Sequence, residues 1–421
     1  MAALRVLGWL GGVSVAIGTH MATIEARSES AAVYTVLFAA ATCHMINDTL
    51  QAVMLAMYPM LKDSYALTFA QIGLITLVFQ VTASILQPLI GHYTDRKPLP
   101  YSLPIAPAFT FLGLIFLGTA TSFPVLLIAA ATIGVGSAIF HPEASRVTRL
   151  ASGGKFGMAQ SLFQVGGNVG TAAGPLLAAA IILPRGQASV IWFGVVALSA
   201  IAILAYVSRW YSLHLSARNL SRGTVIAHHG LSSRTVALSI TILLVLMFSK
   251  FVYMSSIHSF YTFYLIHQFN VSVHDAQIYL FVFLGAVAVG TYAGGPIGDR
   301  IGRKAVIWFS ILGTLPFSLA LPYVNLFWTV ALTVPIGLIL SSAFSAMVVY
   351  AQELLPGRVG MISGLFFGFA FGMAGIGAAI LGALADYTSI SFVYQVCAVL
   401  PALGLLAVFL PSNDKLRAKL A

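Results

Sequence analysis

His44, Asn47, Asp48 and Gln51 stand at relative positions 0, 3, 4 and 7 of an otherwise apolar run. That spacing places all four on one face of a helix. The groups are an imidazole, a carboxylate and two amides, a set suited to holding protons and bonding a polar solute. Asp48 is the first candidate for a proton-coupling carboxylate, because a carboxylate moved between dry surroundings and the neighbourhood of a cation changes its affinity for a proton. The competing reading makes it a structural acceptor between helices. A second cluster is Phe140-His141-Pro142-Glu143-Ala144-Ser145-Arg146. Glu143 and Arg146 are i, i+3 neighbours, Pro142 interrupts the local hydrogen-bond ladder, and His141 is of the side-chain type that titrates near neutrality. It is read as a proton relay or gate, or else as a charge pair near a helix end. A third run carries Lys250, Tyr253, His258, Tyr261 and Tyr264 within an arc of roughly 140°. Lys250 lies about 22 Å along its helix, which leaves anion binding, pairing with Asp48, or snorkelling to the far interface. Gln160, Gln164, Asn168 and Thr171 form a polar stripe on a further segment, beside a small-residue stripe of Gly167, Gly170 and Gly174 that permits close helix contact.

The elements that must position these groups are membrane spans. Of 421 residues 59% are apolar and 8% charged, with mean hydropathy +0.95. So few charges cannot cover a soluble surface, and the chain is a polytopic, all-α membrane protein. An ionisable side chain at mid-membrane costs about 2.5–3.5 kcal/mol, so the groups above must face a cavity or a partner. Apolar runs of about 20 residues, enough for the ~30 Å hydrocarbon layer, begin near residues 33, 69, 102, 124, 158 and 189. They resume near 236, 275, 305, 326, 359 and 391, which gives twelve expected transmembrane helices in two sets of six. With both termini cytoplasmic, every one of the 21 Lys and Arg residues except Lys62, Arg185 and Lys250 falls on the inner side, as the positive-inside rule requires. The net charge of +10 then reports topology and attraction to lipid headgroups. Nucleic acid is not an expected partner, because the basic residues are scattered over many short loops.

The expected organisation is a disordered extension at 1–30, a six-helix half at 31–211, a cytoplasmic linker at 212–234, a second half at 235–411 and a cytoplasmic tail at 412–421. Arg5 and the short apolar run to Ile17 resemble a signal peptide, but the loop charges put the start of the first span inside. An extension, or a start assigned too far upstream, is therefore expected. His214, His228 and His229 are read as part of a solvated linker, with no metal. Cys43 and Cys397 both lie in spans, so no disulfide framework is indicated. A phosphate-binding Gly-Lys-Ser/Thr loop, a Cys/His metal pattern and a nucleophile elbow are all missing from the sequence. Enzymatic activity and a cofactor are not expected, and transport driven by an ion gradient is.

The chain repeats itself. Gly91, Asp95 and Arg96 recur at one common offset as Gly295, Asp299 and Arg300, and Gly154-Lys155-Phe156-Gly157-Met158 recurs as Gly357-Arg358-Val359-Gly360-Met361 at nearly the same offset. Two related halves in parallel order are a recurring plan for secondary transporters. The stretch Gly294–Lys304 resembles the loop signature G-x-x-x-D-R-x-G-R-K of the major facilitator superfamily, matching at Gly295, Asp299, Arg300, Gly302, Arg303 and Lys304. The first copy stops after Arg96-Lys97, where Pro98 and Pro100 replace the remainder. The resemblance implies the major facilitator fold and a gate at this loop, formed with Glu353 and Arg358. Gly170-x-x-x-Gly174-Pro175 resembles part of the antiporter motif of that superfamily.

Several segments are similar to the bacterial fosmidomycin-resistance family of drug exporters. They are Phe140–Arg146, Ala151–Gly154, Phe163–Asn168, Arg209–Tyr211, Phe248–Lys250, Tyr261–Leu265, Tyr350–Arg358 and Ser363–Met373, and the likeness spans residues 33–411. It implies a proton-coupled antiporter of small anionic drugs in the bacterial inner membrane; a monomer is expected. Lys250, Arg146, His44, His141 and His258 are then the positive or protonatable partners of the drug, in a cavity that also includes Asn47, Gln51, Gln164, Asn168, Tyr253 and Tyr261. The rivals are a transporter of an endogenous anionic or sugar-like metabolite, and a non-transporting sensor on the same fold.

Overall fold

A computed structural model describes residues 32–67, 69–220 and 231–412. The expected extension at 1–30, most of the expected linker and nearly all of the tail lie outside the described residues. The first half comprises α1 (Tyr34–Ala56), α2 (Phe69–Arg96), α3 (Ser102–Thr119), α4 (Phe123–Leu150), α5 (Phe156–Leu177) and α6 (Gly194–Leu220). The second comprises α7 (Ser233–Phe269), α8 (Val273–Ile301), α9 (Arg303–Leu312), α10 (Leu326–Ser341, resuming as Ala343–Leu354), α11 (Val359–Tyr387) and α12 (Ile390–Ala398, prolonged by the 3₁₀ segment Leu400–Phe409). The structure is a twelve-helix bundle of two six-helix halves, without strands among the described residues. Helix α6 runs to Leu220, so residues 212–220 of the expected linker are helical.

Local chemistry sets the ends. Ser232, Ser272, Asn325 and Ser389 each accept a main-chain N–H at the start of α7, α8, α10 and α12, satisfying a donor that the first turn leaves open. Between α8 and α9 the chain turns at Gly302 with φ of 94°, a conformation that side-chain-bearing residues avoid. That is the physical reason for a glycine at this point of the loop signature.

Ten of the helical spans are apolar and long enough to cross a membrane. The two that fall short in composition are α1 and α5, which carry the two polar stripes. They pack on each other along much of their length. Gly166, Gly170 and Gly174 of α5 bring its backbone against Ala41, Met45 and Ala52 of α1, where a Cβ would overlap each neighbour. Polar spans therefore turn toward one another and the centre, as a hydrocarbon solvent demands. Large apolar side chains such as Leu89, Val195, Phe281 and Phe327 remain exposed, matching a bundle bathed in lipid.

The halves meet through α2 on α11 and α5 on α8. The glycine stripe of α11 measures how they meet. A Cβ at Gly360 would strike the Arg146 guanidinium and the Gly91 backbone, one at Gly364 the Gln87 carbonyl, and one at Gly368 the Ser84 carbonyl. At Gly372, one turn on, it would meet nothing within 4 Å. On α8 the same happens: Gly295 is pressed on Gly157 and Ser161, while Gly285 has open space. The halves are shut at the end that carries Asp95 and Asp299, here termed the motif end, and the close contact of α11 with the first half is lost by Gly372.

Candidate functional site

Asp48 of α1 lies between two histidines. His44, one turn earlier, places Nε2 3.3 Å from Oδ2, and His141 of α4 places Nε2 3.6 Å from Oδ1. The Asn47 amide donates to Oδ1 over 2.9 Å. Both imidazoles are 0% exposed and Asp48 is 8% exposed. Each ring is fixed from behind: His44 Nδ1 is 2.7 Å from the Phe163 carbonyl and His141 Nδ1 is 2.9 Å from the Ser137 carbonyl. A carbonyl oxygen only accepts, so each Nδ1 carries the hydrogen and donates it. Each Nε2 then presents to the carboxylate either a proton or a lone pair. With Asp48 ionised and both rings neutral, two lone pairs would face an anion at close range in a dry site, which is repulsive twice over. One added proton relieves one contact and a second relieves the other. The geometry therefore makes a buried site in which a proton can sit between either Nε2 and the carboxylate. His44 and Asp48 come from the stripe visible in sequence, and the fold adds His141. Gln51 sits beside it, its Oε1 accepting from the Ser137 hydroxyl over 3.3 Å. These three ligand-type atoms also lie within 4.8 Å of one another, a spacing a metal ion tolerates. Transport that is unchanged by a strong chelator distinguishes a proton site from a metal site.

Glu143 and Arg146, grouped in sequence with His141, do a different job. Arg146 reaches Glu143 at 3.1 Å and Asp95 at 2.6 Å, and donates to the Thr94 carbonyl over 2.7 Å. Its donors are thereby engaged, so the expectation that Arg146 meets substrate gives way to a structural assignment at the motif end. The helical turn between residues 141 and 146 rotates Glu143 and Arg146 away from Asp48 and toward α2, so Glu143 stands outside the proton cluster.

The two repeated aspartates dock across the halves. Asp95 accepts the N–H groups of Gly360 (2.9 Å) and Met361 (2.8 Å), the first turn of α11. Asp299 accepts those of Gly157 and Met158, both at 3.0 Å, in the first turn of α5. Each carboxylate thus sits on the positive end of a helix that belongs to the other half. Asp299 is also 3.1 Å from Arg303, which is 3.3 Å from Glu353. Arg96, Arg300 and Arg358 are exposed and lie outside the ion pairs found among the described residues, a correction to the expected network. Arg96 and Arg300 lie in the last turns of α2 and α8, and Arg358 directly precedes α11. Lys304 instead binds the carbonyls of Val408 and Leu410 at the end of α12. Each carboxylate makes charge-assisted bonds of about 1.5–3 kcal/mol. We predict that Asp95→Asn and Asp299→Asn each shift molecules toward opening at the motif end, and that the double variant shifts most. The distance between labels at the exposed Arg96 and Arg358, one on each half at the motif end, reads the shift.

On α7 the expected common face divides. Lys250 is 3% exposed, with Nζ 3.4 Å from the Ser341 carbonyl at the break in α10 and 5.3 and 5.5 Å from the ring centres of Phe251 and Phe344. No ion pair to a carboxylate is found for it among the described residues, and Asp48 is bound elsewhere. Tyr253 and Tyr261 are buried in the apolar core of the second half, with Tyr264 and Tyr394, and do not line an opening. His258 is exposed, with its ring edge-on to Phe283. An arc of about 140° spans both the packed and the open side of a helix, which is why one stripe became two environments. Asn168 bonds Thr291 across the halves at 3.3 Å, and Gln164 is partly buried. A sequence reading overlooked Phe163 and Ser137, whose carbonyls fix the two rings, since a main-chain partner leaves no trace in residue type.

The sequence profile of the Major Facilitator Superfamily matches residues 37–265 and 242–421. The chain belongs to this superfamily of multi-pass membrane transporters, and its function is not enzymatic. It is 56% identical over 397 residues to the fosmidomycin resistance protein of Escherichia coli (strain K12), covering 94% of this chain and 96% of that one. It is 43% identical over 405 residues to an uncharacterised transporter of the same superfamily from Bacillus subtilis (strain 168), covering 96% and 99%. Among solved structures it resembles the E. coli fucose:proton symporter, with TM-score 0.69, 13% identity and coverage of 90% and 98%. It also resembles a proton:xylose symporter, with TM-score 0.68, 13% identity and coverage of 91% and 97%. At such identities the structural likeness concerns the fold.

Proposed function

We propose that this protein exports fosmidomycin or similar small anionic compounds in exchange for protons, by alternating access across the bacterial inner membrane. The observation that carries the proposal is the pair of buried imidazoles, each with its Nδ1 hydrogen committed to a carbonyl and its Nε2 aimed at one carboxylate. In this account the motif end is cytoplasmic, because it gathers most of the basic residues. The described conformation then opens outward, and protons reach Asp48 from outside. A proton taken up between an Nε2 and the carboxylate replaces a repulsive contact by an attractive one, which alters the balance between the two conformations. Rocking parts Asp95 from α11 and Asp299 from α5, and the protons leave inward as the drug is taken up for export. Lys250 supplies the anion site: a buried ammonium, beside a helix break, that lacks an ion-pair partner among the described residues. Broken helices mark substrate sites in secondary transporters.

Export of this drug, as opposed to transport of an endogenous anion or sugar-like solute, is supported by the relative with 56% identity. The test is drug tolerance of sensitive cells expressing the protein or Lys250→Met. Tolerance that rises with the native protein and returns to the control level with Lys250→Met supports the reading. Unchanged tolerance with both, together with uptake of a metabolite, overturns it.

A further inference from the structure

The proton cluster belongs to the first half, but two rings of α11 in the second half pack on it, Phe367 and, 5.5 Å from His141, Phe371. Phe367 of α11 is 0% exposed, and its ring centre lies 5.1 Å from that of His141 and 6.2 Å from that of His44. It also meets Phe163 of α5 at 6.1 Å and Phe344 of α10 at 5.1 Å. Both imidazoles are sealed, and the contact of the cluster with solvent is through Asp48.

One turn toward the motif end the side chains become polar. Ser363, a turn before Phe367, and Ser145, a turn after His141, share a hydrogen bond of 2.9 Å between hydroxyl oxygens across the halves. Ser145 donates to Gln160 Oε1 over 3.0 Å, Gln352 Nε2 donates to Ser363 over 2.9 Å, and Arg149 donates to Gln352 Oε1 over 2.9 Å. The two hydroxyls and two amides are buried, and Arg149 is partly exposed. Hydroxyls both give and take protons, so this run is a hydrogen-bonded route from the far side of Phe367 toward the motif end. The ring itself has no polar atom, and apolar constrictions of this kind exclude water. Other charged groups nearby are committed elsewhere: Glu143, Arg146 and Asp95 to one another, with Lys250 behind Phe344.

We propose that Phe367 is the proton gate. The inference rests on the proton-coupled reading above. In the described conformation the ring separates the His44–Asp48–His141 cluster from the Ser145–Ser363 run. When the halves rock, Phe367 leaves with α11 and uncovers the imidazoles on the motif side. A proton on Nε2, or on the Asp48 carboxyl, then passes to water or to the serine hydroxyls, and only N–H and O–H bonds change. Phe367 is a positioning residue: it acts by keeping proton release in step with the conformational change.

The experiment uses the purified chain in lipid vesicles with an internal pH dye, an imposed pH gradient, the potential clamped with potassium and valinomycin, and no drug. Wild type should hold the gradient. Phe367→Ala should collapse it severalfold faster, and Asp48→Asn placed in the same chain should restore wild-type tightness, because the leak runs through the cluster. Phe367→Leu, which keeps most of the bulk, should leak less than Phe367→Ala, and it replaces that variant should the alanine protein fail to fold. A Phe367→Ala protein as tight as wild type, or a leak that persists with Asp48→Asn, overturns the gate. Drug-driven proton movement by wild type is recorded in the same vesicles. Its absence refutes antiport, a result distinct from failure of the gate.

Discussion

Asp48→Asn should abolish proton-driven export and spare exchange. The substitution keeps size and hydrogen-bonding capacity, including a partner for the Asn47 amide, but removes the negative charge that lies 3.3 Å and 3.6 Å from the two imidazoles. A proton on either ring then has no counter-charge beside it, and the cluster no longer cycles a proton. Net drug efflux against a gradient should fall to the background of empty vesicles at every pH. Exchange of labelled for unlabelled drug across the membrane needs no net proton transfer, so it should continue. Loss of both activities would indicate that Asp48 holds the fold or the drug and not the proton. Retention of both would place coupling elsewhere, with Glu143 the next ionisable group along α4.

Arg146→Met should be the most damaging single change to stability. The guanidinium serves Asp95 at 2.6 Å, Glu143 at 3.1 Å and the Thr94 carbonyl at 2.7 Å in a site where Glu143 is 0% exposed. Removing it leaves two carboxylates buried side by side without a cation, and breaking one partner of a buried pair costs about 3–5 kcal/mol. Thermal unfolding in detergent should show a large fall in midpoint, or the protein should not accumulate in the membrane. Adding Glu143→Gln removes one of the stranded charges and should recover part of the loss. If the double variant were less stable than Arg146→Met alone, Glu143 would have a partner other than Arg146.

Much of the architecture was written in the chain. Helix α1 could be placed, and its polar face identified, from residues 44, 47, 48 and 51 alone, because a membrane has no other use for such a stripe. That His44 and Asp48 touch followed from their spacing of four. That His141 completes the cluster did not follow, since it depends on how deeply α4 and α1 overlap, which the pattern of either helix leaves open. The two repeats were visible as pairs, Asp95 with Asp299 and Gly157-Met158 with Gly360-Met361. Their crosswise docking was not visible, because each aspartate binds main-chain N–H groups, and main-chain partners carry no residue signature. The stripe on α7 misled for the opposite reason: residue types shared an arc, but the fold buried Tyr253 and Tyr261 against Tyr394 and left His258 open. Phe367 lay in the Ser363–Met373 segment with no role of its own legible there, distinguished only by the histidines that the fold sets beneath it.

The central claim is that drug leaves as protons enter through the His44–Asp48–His141 cluster. The measurement that tests it most directly is the internal pH of vesicles holding the purified protein when fosmidomycin is added under an imposed pH gradient. Proton movement that starts with the drug, runs opposite to it and disappears in Asp48→Asn is the predicted result. Drug movement with no accompanying proton, or proton movement unaffected by Asp48→Asn, would contradict the account.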